Sequence, residues 1–135
     1  MARKVNTTEA PLIFIVDDDV SVRRSTGRFV RSLGMRAETF ASAEYLLNSG
    51  RVAEAACLIL DVRMPIMDGP QLQRRLRETS QFIPVVFISA LATKEEEDRA
   101  LRSGAVAFLA QARREGRAAA LIHMALQVKS FHGLQ

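Results

Sequence analysis

Residues 57–61 read CLILD, a short and unbroken apolar run that ends on an aspartate. Two other runs have the same character, LIFIV at Leu12–Val16 and VVFI at Val85–Ile88. Apolar runs of this length, rich in β-branched residues, predict strands covered on both faces, as in a parallel sheet with helices on each side. The three runs therefore predict an α/β fold with a buried central sheet.

Weaker patterns surround these three strands. Residues Arg36–Phe40 alternate polar and apolar side chains, which predicts a half-exposed edge strand, and Ala105–Leu109 predicts a fifth strand. Helical spacing and capping residues occupy the intervals between strands. They predict helices at 20–33, 42–47, from 69 onward, 93–104 and 116–131. Because strand and helix alternate, the sequence predicts an open, doubly wound sheet.

Length and composition suit one globular domain in a reducing compartment. The chain has 135 residues, of which 48% are apolar and 25% charged. We expect a polar extension at 1–11, a domain at 12–131 and a tail at 132–135. The single cysteine, Cys57, excludes a disulfide framework. The polar start carries no secretion signal and no run is long enough to span a membrane, so a cytoplasmic location is expected.

The net charge of +4 raises the question of nucleic-acid binding. The arginines are spread over three segments without interleaved aromatic residues, and there is no helix-turn-helix or zinc-binding pattern. We interpret them as solvated helix faces, or as surfaces that dock an acidic protein. Direct binding to nucleic acid or to a membrane is not expected.

Polar side chains that can carry chemistry follow three of the predicted strands. Asp17, Asp18 and Asp19 come directly after the first strand, Asp61 closes the third, and Ser89 follows the fourth. In open α/β sheets, ligands bind beyond the carboxyl ends of the strands. Carboxylates that converge there repel one another unless a cation is present, and oxygen ligands without His or Cys favour Mg²⁺. Asp19 is interpreted as the cap of the following helix.

Four stretches resemble the receiver domain of two-component response regulators. Ile15–Asp19 matches the acidic-pair motif, Leu58–Gly69 the phosphoacceptor strand and its loop, Phe87–Ala90 the hydroxyl strand, and Gly104–Phe108 the start of the last strand. The loop sequence most resembles the nitrogen-fixation-regulator branch. The resemblance implies a flavodoxin-like, doubly wound, five-stranded parallel sheet of order 2-1-3-4-5, with helices on both faces.

The resemblance also implies roles for single residues. Asp61 is the expected phosphoryl acceptor. Asp17 and Asp18 are expected to bind Mg²⁺ together with Asp61 and the backbone carbonyl of Arg63. Ser89 would hydrogen-bond the phosphoryl group. Phe108 occupies the position of the family's rotating aromatic residue, with an ordinary core residue as the alternative.

One position departs from the family pattern. Aligned on Gly104–Phe108, Gln111 takes the place of the family's lysine and Ala112 that of the following proline. A neutral amide is a weaker partner for a phosphoryl group than an ammonium, so a weaker switch is expected. Without proline, the 111–112 peptide bond is expected to be trans. An arginine could supply the missing charge; the candidates are Arg63, Arg113 and Arg114.

Two main functions remain open on the sequence alone. The first is a stand-alone receiver, not an enzyme, that is phosphorylated on Asp61 by a sensor histidine kinase and signals to an unidentified downstream protein. A homodimer through the face of the fourth helix, fifth strand and fifth helix is also conceivable. The alternative, favoured by Gln111, is a pseudo-receiver whose interactions are independent of phosphorylation. An enzyme of flavodoxin-like fold is disfavoured, because there is no phosphate-binding glycine loop.

Overall fold

Strands and helices alternate along the chain in a computed structural model that describes residues 10–79, 82–88, 93–102, 107–108 and 116–133. The strands are β1 (Leu12–Val16), β2 (Arg36–Phe40), β3 (Cys57–Asp61), β4 (Val85–Ile88) and β5 (Ala107–Phe108). The helices are α1 (Val20–Ser32), α2 (Ala43–Ser49), α3 (Gly69–Glu78), α4 (Lys94–Arg102) and α5 (Ala118–Gly133), with a 3₁₀ turn at Val52–Glu54. No helix in these described ranges combines the length and apolarity needed to cross a bilayer.

All strand pairs in the described sheet are parallel. The four longer strands lie in the order β2-β1-β3-β4, as predicted, and the short β5 pairs with the outer edge of β4. Of the predicted fifth strand, only Ala107 and Phe108 are described as a strand, and the neighbouring residues 105, 106 and 109 lie outside the described ranges. In the register of β1 with β3, Val16 pairs with Leu60. The carboxyl ends of the two central strands therefore meet at one edge.

Successive side chains of each strand point to opposite faces of the sheet and pack into two apolar cores, one on each face. On one face, residues such as Phe14, Leu60 and Phe87 pack with α2 and α3 through Leu46 and Leu72. The opposite core joins the sheet to α1 and α5; its members include Ile13, Ile15, Ile59, Val86, Val30 and Ile122. This double covering explains why β1, β3 and β4 are unbroken apolar runs, and it confirms the predicted α/β fold with helices on both faces.

Helix ends follow local capping chemistry, and the largest differences from the predicted boundaries are in the last helix. Asp19 caps α1, as predicted, by accepting hydrogen bonds from the backbone N–H groups of Ser21 and Val22. The last helix begins at Ala118 and not near Gly116, because Gly116 has a φ of 72°, a left-handed conformation that an α-helix excludes. It runs to Gly133, past the predicted end at Phe131.

The edge strand β2 is held by an arginine from outside the sheet. Arg51 donates hydrogen bonds of 2.6 and 2.8 Å to the two carboxylate oxygens of Glu38, and its guanidinium lies 5.6 Å from the centre of the Phe14 ring. The hydrogen bonds from Arg51 lower the pKa of Glu38. The ion pair between Arg51 and Glu38 positions the 3₁₀ turn against the sheet, on the side away from α1.

Candidate functional site: an acidic pocket at the carboxyl edge of the sheet

Three carboxylates meet where β1 and β3 end. Asp17 is the first residue after β1 and Asp61 is the last residue of β3, so the parallel register of the two strands brings them side by side. Asp18 follows directly. One carboxylate oxygen from each of the three lies within 4.8 Å of the other two. The structure therefore brings together the three aspartates that the sequence predicts as metal ligands.

Backbone hydrogen bonds hold Asp17 in place. Its side chain is almost fully buried, and its Oδ1 accepts a hydrogen bond of 2.8 Å from the N–H of Asp19. Its own N–H donates to the carbonyl of Phe40 at the end of β2, at 3.1 Å. Arg23, one turn into α1, donates to the Asp17 carbonyl oxygen at 2.7 Å. The first loop is thus fixed from both neighbouring elements, which leaves the Asp17 carboxylate facing the pocket.

The loop between β3 and α3 forms the other wall. The Asp61 carboxylate accepts a hydrogen bond of 3.1 Å from the N–H of Arg63. Asp68 and Gln71 form a reciprocal capping box at the start of α3, with bonds of 2.8 and 2.9 Å. The N–H of Gly69 then binds the carbonyl of Val62 at 3.2 Å and closes the loop on itself.

Burial and neighbouring negative charges disfavour the ionised forms of Asp17 and Asp61. Burial raises the pKa of Asp61 to about 7, and the neighbouring Asp17 and Asp18 contribute in the same direction. The pKa of Asp17 is also raised, again chiefly by burial. Among the described residues, no arginine or lysine forms an ion pair with any of the three carboxylates. Three clustered oxygen donors without a counter-charge fit a hard divalent cation such as Mg²⁺.

In this structure the Arg63 side chain turns away from the three carboxylates and pairs with Glu96. Its guanidinium forms a two-point contact with Glu96 in the first turn of α4, with distances of 3.3 Å from Nε to Oε2 and 2.5 Å from Nη2 to Oε1. The hypothesis that an arginine supplies the missing charge to the phosphoryl group therefore stays a prediction.

Other predicted site residues fall outside the described part of the chain. Ser89, Gln111 and the 111–112 peptide bond are among them, as are Arg113 and Arg114. The backbone of Phe108 is described in β5, whereas its side chain is not. Their roles stay predictions.

Two residues of the site were missed by the sequence analysis. Glu96 was predicted only as part of the helix at 93–104, and its contact with Arg63 joins residues 33 positions apart. Gly69 was predicted as the end of the phosphoacceptor loop and the start of a helix, but not as a site of close packing. A Cβ there would collide with the carbonyl oxygen of Asp61 and lie 2.8 Å from the Phe87 ring. The one available signal was the Asp-Gly pair that precedes Pro70.

A groove lies beside the pocket, between the β3–α3 loop and α4. It has a volume of about 600 Å³, and both members of the Arg63–Glu96 pair line it. Apolar contributions come from the loop and from the first turn of α3, and further charged residues stand at its sides. The remaining lining residues are Val62, Met64, Pro65, Asp68, Pro70, Arg74 and Arg99.

A doubly wound parallel sheet with three aspartates at its carboxyl edge defines the receiver class of signalling domain. The chain belongs to the response regulator receiver domain family, whose sequence profile matches residues 13–123. Members of this family are signalling modules of two-component systems that bind Mg²⁺ at an acidic pocket and are phosphorylated by sensor histidine kinases.

Relatives among characterised proteins are response regulators. Response regulator protein TodT of Pseudomonas putida is 40% identical over 119 residues, which cover 88% of this chain and 52% of that protein. Response regulator protein TmoT of Ectopseudomonas mendocina is 37% identical over 128 residues, covering 95% of this chain and 58% of that protein. The chain thus spans about half the length of these curated relatives.

Solved structures give the same result. The response regulator StyR superposes with a TM-score of 0.76 at 37% identity, covering 93% of this chain and 63% of that chain. The FixJ-N crystal structure superposes with a TM-score of 0.66 at 27% identity, covering 82% of this chain and 94% of that chain. Fold and family therefore agree.

Proposed function

We propose that this chain is a phosphoryl-accepting receiver, with Asp61 as the acceptor, a sensor histidine kinase as the donor and Mg²⁺ as the required ion. The signal then passes to a downstream protein through protein–protein contact. The observation that carries the proposal is the cluster of Asp17, Asp18 and Asp61, whose oxygens lie within 4.8 Å of one another. Such a cluster is costly for the fold without a cation, so a purely structural role does not explain it.

Asp17, Asp18, Asp61 and the backbone carbonyl of Arg63 would hold the ion. Mg²⁺ would neutralise the phosphoryl oxygens, which is much of what phosphoryl transfer requires of a protein. An Asp61 carboxylate oxygen forms a bond to phosphorus while the bond from phosphorus to the donor's leaving group breaks. The product is an acyl phosphate, and the bonding electrons leave with the donor group. The hydrogen bond from the Arg63 N–H to Asp61 Oδ1 orients the acceptor.

Residues of the last two strands complete the proposed switch. Ser89 would hydrogen-bond the transferred phosphoryl group, and Phe108 would respond as the mobile aromatic residue. Gln111 stands in the lysine position and contributes a neutral donor. The surface formed by α4, β5 and α5 is the proposed output face, and a homodimer could form through it.

A pseudo-receiver is the second candidate, and Gln111 is the observation that favours it. Without the ammonium, an incoming phosphoryl dianion meets one uncompensated negative charge in the pocket. Binding of a partner could then be independent of phosphorylation. The intact aspartate cluster favours the first function, because a module that never accepts phosphate has no need for three converging carboxylates.

Intact-mass analysis after incubation with acetyl phosphate and Mg²⁺ distinguishes the two candidates. We expect one added phosphoryl group on the native chain and none on Asp61→Asn, with little reaction when Mg²⁺ is chelated. Asp68→Asn is a matched control, since it removes a carboxylate from the same loop outside the cluster. If no phosphate appears with acetyl phosphate or with a cognate histidine kinase, the pseudo-receiver is the correct function.

A further inference from the structure

Arg63 connects two parts of the site that have no other described ion pair between them. Its side chain forms the two-point contact with Glu96, which joins the β3–α3 loop to the first turn of α4. Glu96 is itself positioned by Thr93, whose Oγ1 lies 3.3 Å from Glu96 Oε1 and accepts a hydrogen bond from the Glu96 N–H. The pair therefore ties the loop to a carboxylate whose place on α4 is fixed.

The other end of Arg63 lies at the acceptor. Its backbone N–H donates to Asp61 Oδ1 at 3.1 Å, so the residue is anchored beside the carboxylate that would carry the phosphoryl group. Its side chain is 62% exposed and is long and rotatable. The guanidinium can therefore turn from α4 toward Asp61 without any movement of the backbone hydrogen bond.

The charge balance favours that turn once Asp61 is modified. In the described residues, no cation is paired with the carboxylates of the pocket, whereas Glu96 offers a single, partly exposed carboxylate. A phosphoryl group presents about two negative charges and three acceptor oxygens. The planar guanidinium fork matches phosphate oxygens at two points, which makes a phosphoryl group the stronger competitor for Arg63.

We infer that Arg63 is a ligand of the phosphoryl group on Asp61. Before phosphorylation, Glu96 holds the Arg63 side chain away from Asp61. After phosphorylation, Arg63 leaves Glu96 for the phosphoryl oxygens, and the β3–α3 loop is released from α4. This inference rests on the proposed phosphorylation of Asp61. Because both members of the pair line the groove beside the pocket, the exchange also changes the lining of that groove. The covalent state of Asp61 thereby becomes a change on the surface next to α4.

The test is a set of four proteins: the native chain, Glu96→Gln, Arg63→Gln and the double variant. Phosphorylation of Asp61 by acetyl phosphate is followed by intact mass at matched Mg²⁺ and ionic strength. Freeing Arg63 should make Glu96→Gln faster by about two- to fivefold, the range that exposed ion pairs reach. Arg63→Gln should be slower than the native chain. In the double variant the Glu96 substitution should have no effect, because the inferred influence of Glu96 on the acceptor acts through Arg63.

Two control variants separate the pair from general charge effects. Glu95→Gln removes the same charge one residue away, on a side chain that is 82% exposed and 3.8 Å from Arg99. Arg74→Gln removes a cation that lines the same groove and that forms no ion pair with Glu96 in the part of the chain the structure describes. Neither control variant should change the rate of Asp61 phosphorylation as much as Glu96→Gln or Arg63→Gln does. Mg²⁺ titration of each protein checks that the pocket is intact.

Amide hydrogen exchange of residues 94–102 gives a second readout. It would not respond to phosphorylation if the Arg63–Glu96 pair had only a structural role. Phosphorylation should speed exchange in α4 of the native chain, whereas in Arg63→Gln the exchange should already be fast and should not respond. Equal rates for Glu95→Gln and Glu96→Gln, or a Glu96 effect that persists without Arg63, would overturn the exchange of partners while leaving the receiver function intact. A native chain that takes no phosphate from any donor overturns the receiver function, and the exchange with it.

Discussion

Ile66 has a backbone conformation that β-branched residues rarely adopt. Its φ is 71°, and it is the one non-glycine residue with positive φ in the described part of the chain. The left-handed region costs an ordinary L-residue about 1–2 kcal/mol, because Cβ approaches the following carbonyl oxygen. The side chain is 91% exposed, so burial offsets little of this cost. The path of the β3–α3 loop imposes the conformation, since Asp61 and Asp68 at its two ends are both fixed.

Replacing Ile66 with a residue that tolerates this conformation should therefore stabilise the protein. We expect Ile66→Asn to raise the free energy of unfolding by about 1 kcal/mol, because asparagine adopts the left-handed region at lower cost. Urea unfolding measures the change. Ile66→Val is the matched control: it keeps the β-branch and should leave stability nearly unaltered. A loss of stability in Ile66→Asn would show that the exposed isoleucine makes a contact that strain does not outweigh.

At the scale of elements, the start of α3 is packed directly on the end of β3. Gly69 is buried, and its N–H binds the Val62 carbonyl at 3.2 Å, which leaves no room for a side chain between the helix and Asp61. The atoms in the way are a backbone carbonyl and the Phe87 ring, neither of which is the free end of a flexible side chain. The placement of the acceptor aspartate thus depends on a missing Cβ in the next element.

Gly69→Ala should destabilise the protein by about 1–3 kcal/mol, because the added methyl forces the helix and the strand end apart. Thermal or urea unfolding gives the magnitude. Gly27→Ala is a control of opposite expected sign: it lies within α1, where the nearest atom to a new Cβ is the guanidinium end of the long Arg31 side chain, at 3.2 Å. Alanine should stabilise that helix by up to about 1 kcal/mol. If both variants were equally stable, the close approach at Gly69 would not matter.

At the scale of the whole molecule, folding brings like charges together, and this links stability to pH. Carboxylates from two strand ends share one partly buried pocket. Burial, and then the negative charges of the neighbouring aspartates, raise the pKa of Asp61 from 3.8 to about 7. The folded chain therefore binds this proton more tightly than the unfolded chain does. It follows that the contribution of Asp61 to stability falls as pH rises from about 4 to about 7 in the absence of a divalent ion.

Asp61→Asn should accordingly stabilise the metal-free protein more at pH 8 than at pH 5. The expected difference is roughly 1–2 kcal/mol, which is discounted from the full shift because Asp61 is only half-buried. Chemical unfolding in a chelator at both pH values measures it. Asp98→Asn, which alters an exposed aspartate on α4, should show no such difference. Saturating Mg²⁺ should favour the native chain over Asp61→Asn, so a native chain unaffected by Mg²⁺ would contradict the metal site.

Much of the fold and the aspartate cluster follows from the sequence, for local reasons. The runs at Leu12–Val16 and Cys57–Leu60 are apolar because both sheet faces are covered. Such a pattern can be recognised from a few consecutive residues. Asp19 caps α1 through residues two and three positions away. The convergence of Asp17 with Asp61 also follows, because parallel strands end at the same edge of a sheet.

The tertiary structure alone decided the contacts between distant elements. The pairing of Arg63 with Glu96 depends on where α4 lies, and no local pattern separates that partner from the other acidic residues of the helix. The clearance at Gly69 depends on the distance between α3 and β3, and the φ of Ile66 depends on both ends of its loop. Periodicity and capping are short-range properties, whereas these features depend on how whole elements are packed against one another.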